Sequence, residues 1–178
     1  MGQELDADQL AIQETAHAFA LEHIAPHAAR WDAEEVFPVD VLRAAAGLGL
    51  ASIYVREDIG GSGLSRLDAA LVFEELSAAC PSTAAFLSIH NMVSWMVDVF
   101  GSEKQRRRWG PRLCAMDVVA SYCLTEPGSG SDAASLRTRA RREGDHYVLD
   151  GSKAFISGGG ASDLYLVMAR TEIGRAHV

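Results

Sequence analysis

Apolar residues recur at helical spacing through the first two thirds of the chain. One stripe advances by four, three and four residues: Ile12, Ala16, Phe19 and His23. This spacing keeps side chains on one face of an α-helix. Asp6 is a suitable N-cap, with Gln9 three residues later as its capping-box partner. Pro26 predicts the end of this helix, because proline lacks the N–H that would continue it.

The same pattern predicts three further helices. Pro38 and Gly47 suit the first turn and the end of the second helix. Ser65 and Asp68 frame the start of the third. The fourth spans about residues 84–100 and is apolar on nearly every side, which is typical of a helix at the centre of a bundle.

The second part of the chain changes from helical to β-rich character. A short basic helix, capped by Ser102 and Gln105, is expected to end at Gly110-Pro111. Strands are then predicted over 118–124, 137–141, 146–149, 154–157 and 164–168, with a hairpin between the second and the third. Because the helices precede the strands without β-α-β alternation, we expect an α+β fold: an all-α domain followed by a separate antiparallel β domain.

Composition and charge argue against several classes of protein and of partner. With 48% hydrophobic and 22% charged residues, the chain is typical of globular proteins and unlike disordered ones. No run of 18 apolar residues occurs, so no membrane partner is expected, and the net charge of −8 argues against nucleic acid. Residues 1–100 carry a net charge of −11 and residues 101–178 one of +3, so the second half suits an anionic ligand better. For Arg106, Arg107 and Arg108, however, a solvated helix face is the favoured interpretation.

The thiol and imidazole groups predict little chemistry. The chain has three cysteines: Cys80, Cys114 and Cys123. They form no C-x-x-C pair, so neither a disulfide framework nor a zinc site is expected, and free thiols predict a reducing, cytoplasmic location. His23 and His27 have the spacing of a metal-ligand pair, but Pro26 interrupts the helix between them and no metal is expected. His90-Asn91 is expected to be a buried, hydrogen-bonded pair, with a place in a substrate pocket as the alternative.

Two segments carry candidate chemistry. In Tyr122–Asp132 a strand enters a Pro-Gly turn, where glycines let backbone N–H groups approach a ligand and form an anion-binding nest. A phosphate or carbonyl cradle and an ordinary polar turn are equally compatible with it. In Gly151–Gly158, Phe155 beside Ser157 suits a flat, hydrogen-bonding heterocycle, although Phe155 taken alone is more simply an ordinary core aromatic.

Together these two segments resemble the flavin-binding signatures of the acyl-CoA dehydrogenase family, at that family's spacing. Further matching segments lie in the helical half: Phe37-Pro38, Gly60–Gly63, Ser88–Asn91 and Gly101–Gln105. The resemblance implies an all-α domain over residues 1–115 and the start of an incomplete antiparallel β-barrel domain over 116–171. Residues 172–178 are expected to be a non-native tail, because they do not resemble the family and match one reading frame of a common sequencing adapter.

The resemblance also implies an activity and a site. Members of the family use FAD to remove the α-proton and the β-hydride of an acyl-CoA thioester, and a short branched acyl-CoA is the expected substrate. The implied cofactor-binding residues are Tyr122, Cys123, Leu124, Thr125, Ser131, Phe155, Ile156 and Ser157. Thr125 would hydrogen-bond the polar edge of the flavin ring and Ser157 its reactive nitrogen. Ser131 would lie at the FAD phosphates and near the CoA part of the substrate.

The family places its catalytic glutamate in a later helical bundle, so this chain is expected to lack the base and to be inactive by itself. The implied partners are the acyl-CoA substrate, an electron-transfer flavoprotein and, for the full-length protein, further copies in a homotetramer. Two alternatives of other classes stay open. One is a flavin-dependent monooxygenase or nitroalkane oxidase on the same scaffold, and the other is a non-catalytic helical interaction module.

Overall fold

The structure, a computed structural model, describes residues 4–171. These contain six α-helices: α1 Ala7–Phe19, α2 Ala28–Ala33, α3 Val39–Gly47, α4 Arg66–Ala79, α5 Pro81–Phe100 and α6 Glu103–Cys114. Four strands follow: β1 Ala120–Cys123, β2 Arg139–Glu143, β3 His146–Asp150 and β4 Leu164–Val167. The predicted order of helices before strands, and with it the α+β fold, is confirmed. The tail predicted over 172–178 lies outside the described residues.

Local capping chemistry sets the helix starts, as predicted. The Asp6 carboxylate accepts the N–H of Gln9 at 2.8 Å, and the Gln9 side chain accepts the N–H of Asp6 at 3.1 Å. The same reciprocal pair caps α4 and α6, formed by Ser65 with Asp68 and by Ser102 with Gln105. Helix α1 continues as a π-helical turn, Ala20–Ile24, and the helical path ends before Pro26. Helix α2 was not predicted.

Helix α5 lies at the centre of the helical part and contacts α4, α6 and β1, as its apolar surface predicted. The main core contains fully buried side chains from several helices and loops: Ile24, Leu42, Ile53, Val72, Leu76 and Leu87. A second cluster joins the helices to the sheet region, because Val93 of α5 and Leu113 of α6 pack with Val118 and Ala120. Strand β1 is thereby fixed on the helices. None of the helices within residues 4–171 combines the length and the hydropathy needed to cross a membrane.

The sheet region differs from the prediction in one pairing. Strands β2 and β3 form the predicted antiparallel hairpin, but β1 and β4 pair in parallel, from Ala120 opposite Leu164 to Cys123 opposite Val167. A parallel pair needs a crossover connection, and the chain between these strands is long enough to supply one because it includes the hairpin.

One predicted strand and one predicted helix end are also wrong. Residues 154–157 are not a strand, because Phe155 has a φ of 56°, far from the negative values that a strand ladder requires. Helix α6 passes through Gly110-Pro111 and ends at Cys114. Burial of its last turn outweighs the hydrogen bond lost at Pro111. A Cβ at Gly110 would lie 2.7 Å from Ile59 Cδ1, so glycine allows α6 to pack closely on Ile59.

Candidate functional site

The two segments predicted to bind one ligand lie side by side. The backbone N–H of Ala154 donates to the carbonyl oxygen of Thr125 at 2.9 Å. Ser121 Oγ donates to the carbonyl oxygen of Ser157 at 2.6 Å. The second segment therefore runs antiparallel to β1 and its extension, and the structure brings the regions of Thr125 and Ser157 together.

Phe155 is the most exposed large apolar residue of the described chain, with 94% of its surface accessible. Its φ of 56° lies in the left-handed region, which residues other than glycine rarely adopt. The next two residues are also accessible, since Ile156 is half-buried and Ser157 is exposed. The interpretation of Phe155 as a core aromatic is therefore wrong. An exposed ring on a strained backbone is instead typical of a functional surface.

Gly158 lets the second segment dock against the rest of the protein. Its φ is 76°, and a Cβ at this position would lie 2.5 Å from Phe86 Cε2 and 2.8 Å from Ser121 Oγ. Only glycine combines the left-handed backbone freedom with the absence of a side chain. The segment is thus held against α5 and β1 immediately after Ser157.

The Pro-Gly turn after β1 is closed by Glu126 and Ser129. Their backbones exchange two hydrogen bonds, of 2.9 and 3.1 Å, and Ser129 Oγ donates to a carbonyl oxygen three residues later at 2.7 Å. Ser131 is exposed, and open space surrounds the positions where Gly128 and Gly130 would carry a Cβ. Ser129 therefore serves the turn itself, whereas Ser131 and the glycine backbone remain accessible to a ligand.

Glu126 is buried and fixes the turn to the second segment. Its carboxylate accepts the N–H groups of Arg137 and Thr138 at 2.6 and 2.8 Å, and Lys153 Nζ at 2.9 Å. Lys153 Nζ also donates to the carbonyl oxygen of Leu124 at 2.8 Å. Burial alone would raise the pKa of Glu126, but the hydrogen bonds from Thr138, Lys153 and Arg137 lower it to about 2. Glu126 is therefore a fixed anion at neutral pH and not a proton acceptor.

Sequence reasoning missed the pair of Glu126 and Lys153. A signal was present, because the two opposite charges stand inside the two candidate segments, one residue after Thr125 and two residues before Phe155. A buried charge in such a segment needs a partner of opposite sign. A pairing of these two charges would have joined the two segments, but their burial is visible only in the structure.

The side chains of β1 and its extension differ in what they offer a ligand. Tyr122 and Leu124 are half-buried, whereas Cys123 is only 5% exposed. Burial raises the pKa of the Cys123 thiol, against a smaller opposing effect of Lys153, and burial also raises the pKa of Tyr122. Both groups are thus neutral at pH 7. A ligand lying against this strand would contact Tyr122 and Leu124, while Cys123 could contribute only its backbone.

A polar cleft of about 440 Å³ lies beside the Pro-Gly turn. Its lining includes Arg137 and Arg139, both of which are exposed. Two carboxylates also line the cleft: Glu126, whose charge is paired with Lys153, and the exposed Asp150. The cleft thus has a lining of mixed charge, in which Arg137 and Arg139 are the groups that could attract an anion.

None of the candidate histidines reaches the surface formed by the two segments. His90 bonds two backbone groups through its two ring nitrogens, and Asn91 bonds three. Both are fully buried, so their interpretation as a hydrogen-bonded core pair is confirmed. His23 and His27 belong to no group of three metal-ligating side chains within residues 4–171.

The interpretation of the arginine run as one solvated face is wrong for Arg106. This side chain is buried, and its Nε donates to Asp98 Oδ1 at 2.6 Å. Burial alone would raise the pKa of Asp98, but hydrogen bonds from Arg56 and Arg106 lower it below its usual value. Arg107 is exposed. Arg106 thus belongs to a structural ion pair between α5 and α6 and is not free for a ligand.

Proteins similar to this chain occur among curated sequences and solved structures. The mitochondrial isobutyryl-CoA dehydrogenase of Bos taurus is 59% identical over 167 residues, which cover 94% of this chain and 40% of that protein. Glutaryl-CoA dehydrogenase from Mycobacterium smegmatis, solved in complex with FADH2, superposes with a TM-score of 0.91 and 31% identity, over 96% of this chain and 44% of that one. PigA, solved with FAD and proline, superposes with a TM-score of 0.91 and 26% identity, over 99% and 47%. This chain thus spans less than half the length of each of these proteins.

Two family models match consecutive parts of the chain. The model described as "Acyl-CoA dehydrogenase, N-terminal domain" matches residues 6–117, and the model described as "Acyl-CoA dehydrogenase, middle domain" matches residues 121–178. These matches confirm the resemblance carried by the two candidate segments. The chain belongs to the acyl-CoA dehydrogenase family.

Proposed function

We propose that this chain is the flavin-facing N-terminal part of an FAD-dependent acyl-CoA dehydrogenase, whose substrate is a short branched acyl-CoA of the isobutyryl-CoA kind. The observation that carries the proposal is the contact of residues 154–157 with the segment after β1, which presents Phe155 next to the Thr125 backbone. The identity of 59% to a protein named isobutyryl-CoA dehydrogenase supports the acyl preference. The division into an α domain over 1–115 and a β domain over 116–171 is part of the proposal.

The residues present fit FAD, which combines a flat ring that has a polar edge with a pair of phosphates. Phe155 presents an exposed aromatic surface, and the exposed Ser131 lies beside open glycine backbone that suits phosphate oxygens. The proposed cofactor contacts are Tyr122, Cys123, Leu124, Thr125, Ser131, Phe155, Ile156 and Ser157, with Cys123 contributing through its backbone. Ser131 is also the proposed substrate contact.

FAD, when bound, supplies the acceptor for the hydride that leaves the substrate β-carbon. The hydroxyl groups of Thr125 and Ser157 would donate hydrogen bonds to the ring, one at its polar edge and one at its reactive nitrogen. Donors already fixed in place stabilise developing negative charge without reorganisation. Phe155 would cover the ring from the second segment and exclude water from it.

The proton from the α-carbon needs a carboxylate base that Glu126 does not supply. Glu126 already accepts hydrogen bonds from two backbone N–H groups and from Lys153, and its pKa of about 2 makes it a poor base. We place the base outside the described residues because the family resemblance implies a glutamate in a later helical bundle. The chain by itself is accordingly expected to be inactive.

The partners in this proposal follow from the family resemblance. They are the acyl-CoA substrate, an electron-transfer flavoprotein that receives the electrons, and further copies of the full-length protein in a homotetramer. The net charge of −8 supports the absence of a nucleic-acid partner. The cytoplasmic location predicted from the free thiols stays a prediction, and the name of the bovine relative places that protein in mitochondria instead.

A flavoenzyme with a different substrate is the second candidate function. PigA, which has the same fold over 99% of this chain, was solved with FAD and proline. This neighbour shows that the fold also occurs in an FAD protein solved with a ligand other than an acyl-CoA, so the alternative of a flavin-dependent monooxygenase or a nitroalkane oxidase stays open. The non-catalytic helical module is the third candidate, and it predicts a protein without flavin.

The test is to purify the full-length protein that contains this chain, record its flavin absorbance and add isobutyryl-CoA without oxygen. Bleaching of the flavin by isobutyryl-CoA is the expected result. Bleaching by proline or a nitroalkane alone would favour the second candidate, and a colourless protein that takes up no added FAD would favour the third. A variant with Thr125→Val and Ser157→Ala, which lacks both proposed ring donors, should bleach more slowly.

A further inference from the structure

Ser121 and Ser162 form a hydroxyl relay behind the exposed second segment. Ser121 is fully buried. Its Oγ lies 2.6 Å from the carbonyl oxygen of Ser157 and 2.6 Å from Ser162 Oγ. A carbonyl oxygen only accepts hydrogen bonds, so the single hydrogen of the Ser121 hydroxyl is donated to Ser157. Ser162 must then donate to Ser121, and the relay runs from Ser162 through Ser121 to Ser157.

Both hydroxyl-bearing residues of the relay are held by backbone hydrogen bonds of their surroundings. Ser121 lies within β1, opposite Tyr165 of β4. The N–H of Ser162 donates to the carbonyl oxygen of Gly158 at 2.9 Å. A Cβ at Gly158 would lie 2.7 Å from Ser162 Oγ, so the loop closes tightly around the hydroxyl pair. The carbonyl of Ser157 is therefore fixed to the sheet two residues after the strained and exposed Phe155.

We infer that Ser121 and Ser162 are positioning residues, which hold Phe155 and Ser157 in the conformation that a bound flavin ring requires. The identity of that ring rests on the proposed function. The physical reason for the relay is the left-handed backbone of Phe155, which persists only when its surroundings determine it. Phe155 is exposed, so its own ring does little to hold this conformation. The anchors on either side of it, Ala154 on Thr125 and Ser157 on Ser121, must do so.

The relay predicts unequal effects for its two serines. Ser121→Ala removes the only side-chain bond to the Ser157 carbonyl among the described residues, whereas Ser162→Ala leaves that bond and removes only its support. The double variant should behave like Ser121→Ala alone, because the Ser162 hydroxyl acts only through the Ser121 hydroxyl, which Ser121→Ala removes. Ser94→Ala is a matched control, since Ser94 is also buried and its Oγ donates to a backbone carbonyl, that of His90, at 2.8 Å.

The first readout does not depend on flavin. Chymotrypsin cleaves after exposed aromatic residues, and mass spectrometry identifies cleavage after Phe155 in the full-length protein. We expect the initial rate at this bond to rise about tenfold in Ser121→Ala and about threefold in Ser162→Ala, which corresponds to the loss of one buried hydrogen bond or part of one. The rate in Ser94→Ala should stay within about twofold of the parent protein. If Ser121→Ala does not fold, Ser121→Cys, a weaker donor of similar shape, should give an intermediate increase.

The second readout is the Kd of the apoprotein for FAD, measured by calorimetry, which should rise in the same order as the cleavage rate. Cleavage in Ser121→Ala at the rate of the control, or a larger effect from Ser162→Ala than from Ser121→Ala, would overturn the relay. Weaker FAD binding with unchanged cleavage would overturn it as well. A protein that shows the predicted cleavage pattern but binds no FAD would instead support the relay and contradict the proposed function.

Discussion

His90 Nδ1 accepts a hydrogen bond from the backbone N–H of Ala120 at 3.1 Å. The opposite ring nitrogen, Nε2, lies 2.9 Å from the carbonyl oxygen of Leu113. The roles of the two backbone groups are fixed, so the neutral ring must carry its proton on Nε2. One buried side chain of α5 therefore joins the end of α6 to the first residue of β1, on which the candidate site is built.

Removal of this imidazole should destabilise the protein strongly. His90→Ala leaves a buried N–H at Ala120 and a buried carbonyl at Leu113 without their partners. Each such group costs about 1–3 kcal/mol, so we expect the free energy of unfolding to fall by about 3 kcal/mol, measured by urea denaturation. His23→Ala is the control, since His23 is exposed, and it should change the free energy by less than about 0.5 kcal/mol. Equal losses in the two variants would contradict a bridging role for His90.

The buried His90 also predicts that the stability of the protein depends on pH. Burial lowers the pKa of His90 in the folded protein, whereas an unfolded histidine has a pKa of about 6.5. Below that pH the unfolded chain binds a proton that the folded chain does not, so stability falls as the pH falls. We expect unfolding curves of the parent protein to shift to lower urea between about pH 7.5 and 5.5. His90→Gln should lose most of this shift, and an unchanged shift would assign it to another group.

Local signals along the chain were read correctly where both partners are close in sequence. The capping boxes are an example, since Asp6 and Gln9 are three residues apart and satisfy each other's backbone groups. The parallel pairing of β1 with β4 could not be predicted in this way, because alternation along a strand does not reveal the direction of its neighbour. Arg106 was misread for a similar reason, since its burial depends on Asp98 in another helix.

In the candidate site too, local features could be predicted from the sequence, whereas contacts between distant residues could not. The residue types predicted an anion or carbonyl cradle in the first segment and a flat heterocycle at the second, and the family resemblance assigned both to one flavin. The structure brings these two segments together. The groups that hold them were missed, because Ser121 bonds partners 36 and 41 residues away and Glu126 bonds Lys153 27 residues away. The left-handed backbone of Phe155 was missed because it is imposed by such distant contacts, against the local preference of phenylalanine.

The ion pair of Glu126 and Lys153 should couple the two segments. Glu126→Gln leaves the Lys153 charge buried without its partner, and we expect a loss of about 3 kcal/mol in the free energy of unfolding. Lys153→Met should cost about as much. The free energy of unfolding of the double variant should fall by clearly less than the sum of the two single losses, because the second change removes the charge that the first left unpaired. Additive losses in this double-mutant cycle, measured by urea denaturation, would show that the two side chains do not interact.

An exposed ion pair provides the control for that cycle. Arg141 contacts Glu143 on the surface of the hairpin, with 71% and 41% of the two side chains exposed, and Glu143→Gln should cost less than about 0.5 kcal/mol. Acid provides a further check on Glu126. The pKa of Glu126, about 2, lies below the value of 4.5 for a free glutamate. The ionised carboxylate therefore contributes its full stabilisation of the folded protein above pH 4.5, and this stabilisation is lost as the pH falls toward 2. The Glu126→Gln variant should therefore lose less stability than the parent protein over this range.

Phe155 allows stability and flavin binding to be separated. Its ring is 94% exposed, so truncation removes almost no buried surface, and glycine adopts a φ of 56° without strain. Phe155→Gly should therefore leave the free energy of unfolding unchanged or raise it by up to about 1 kcal/mol. The same change should raise the Kd for FAD about tenfold in calorimetry, because a ring contact is lost, whereas Phe155→Trp should preserve binding. Glu35→Gly is the matched control, since Glu35 is exposed and has a φ of 55°. It should relieve the same strain and leave the Kd unchanged. If Phe155→Gly bound FAD as tightly as the parent protein, the strained, exposed ring would have to serve a contact other than the flavin.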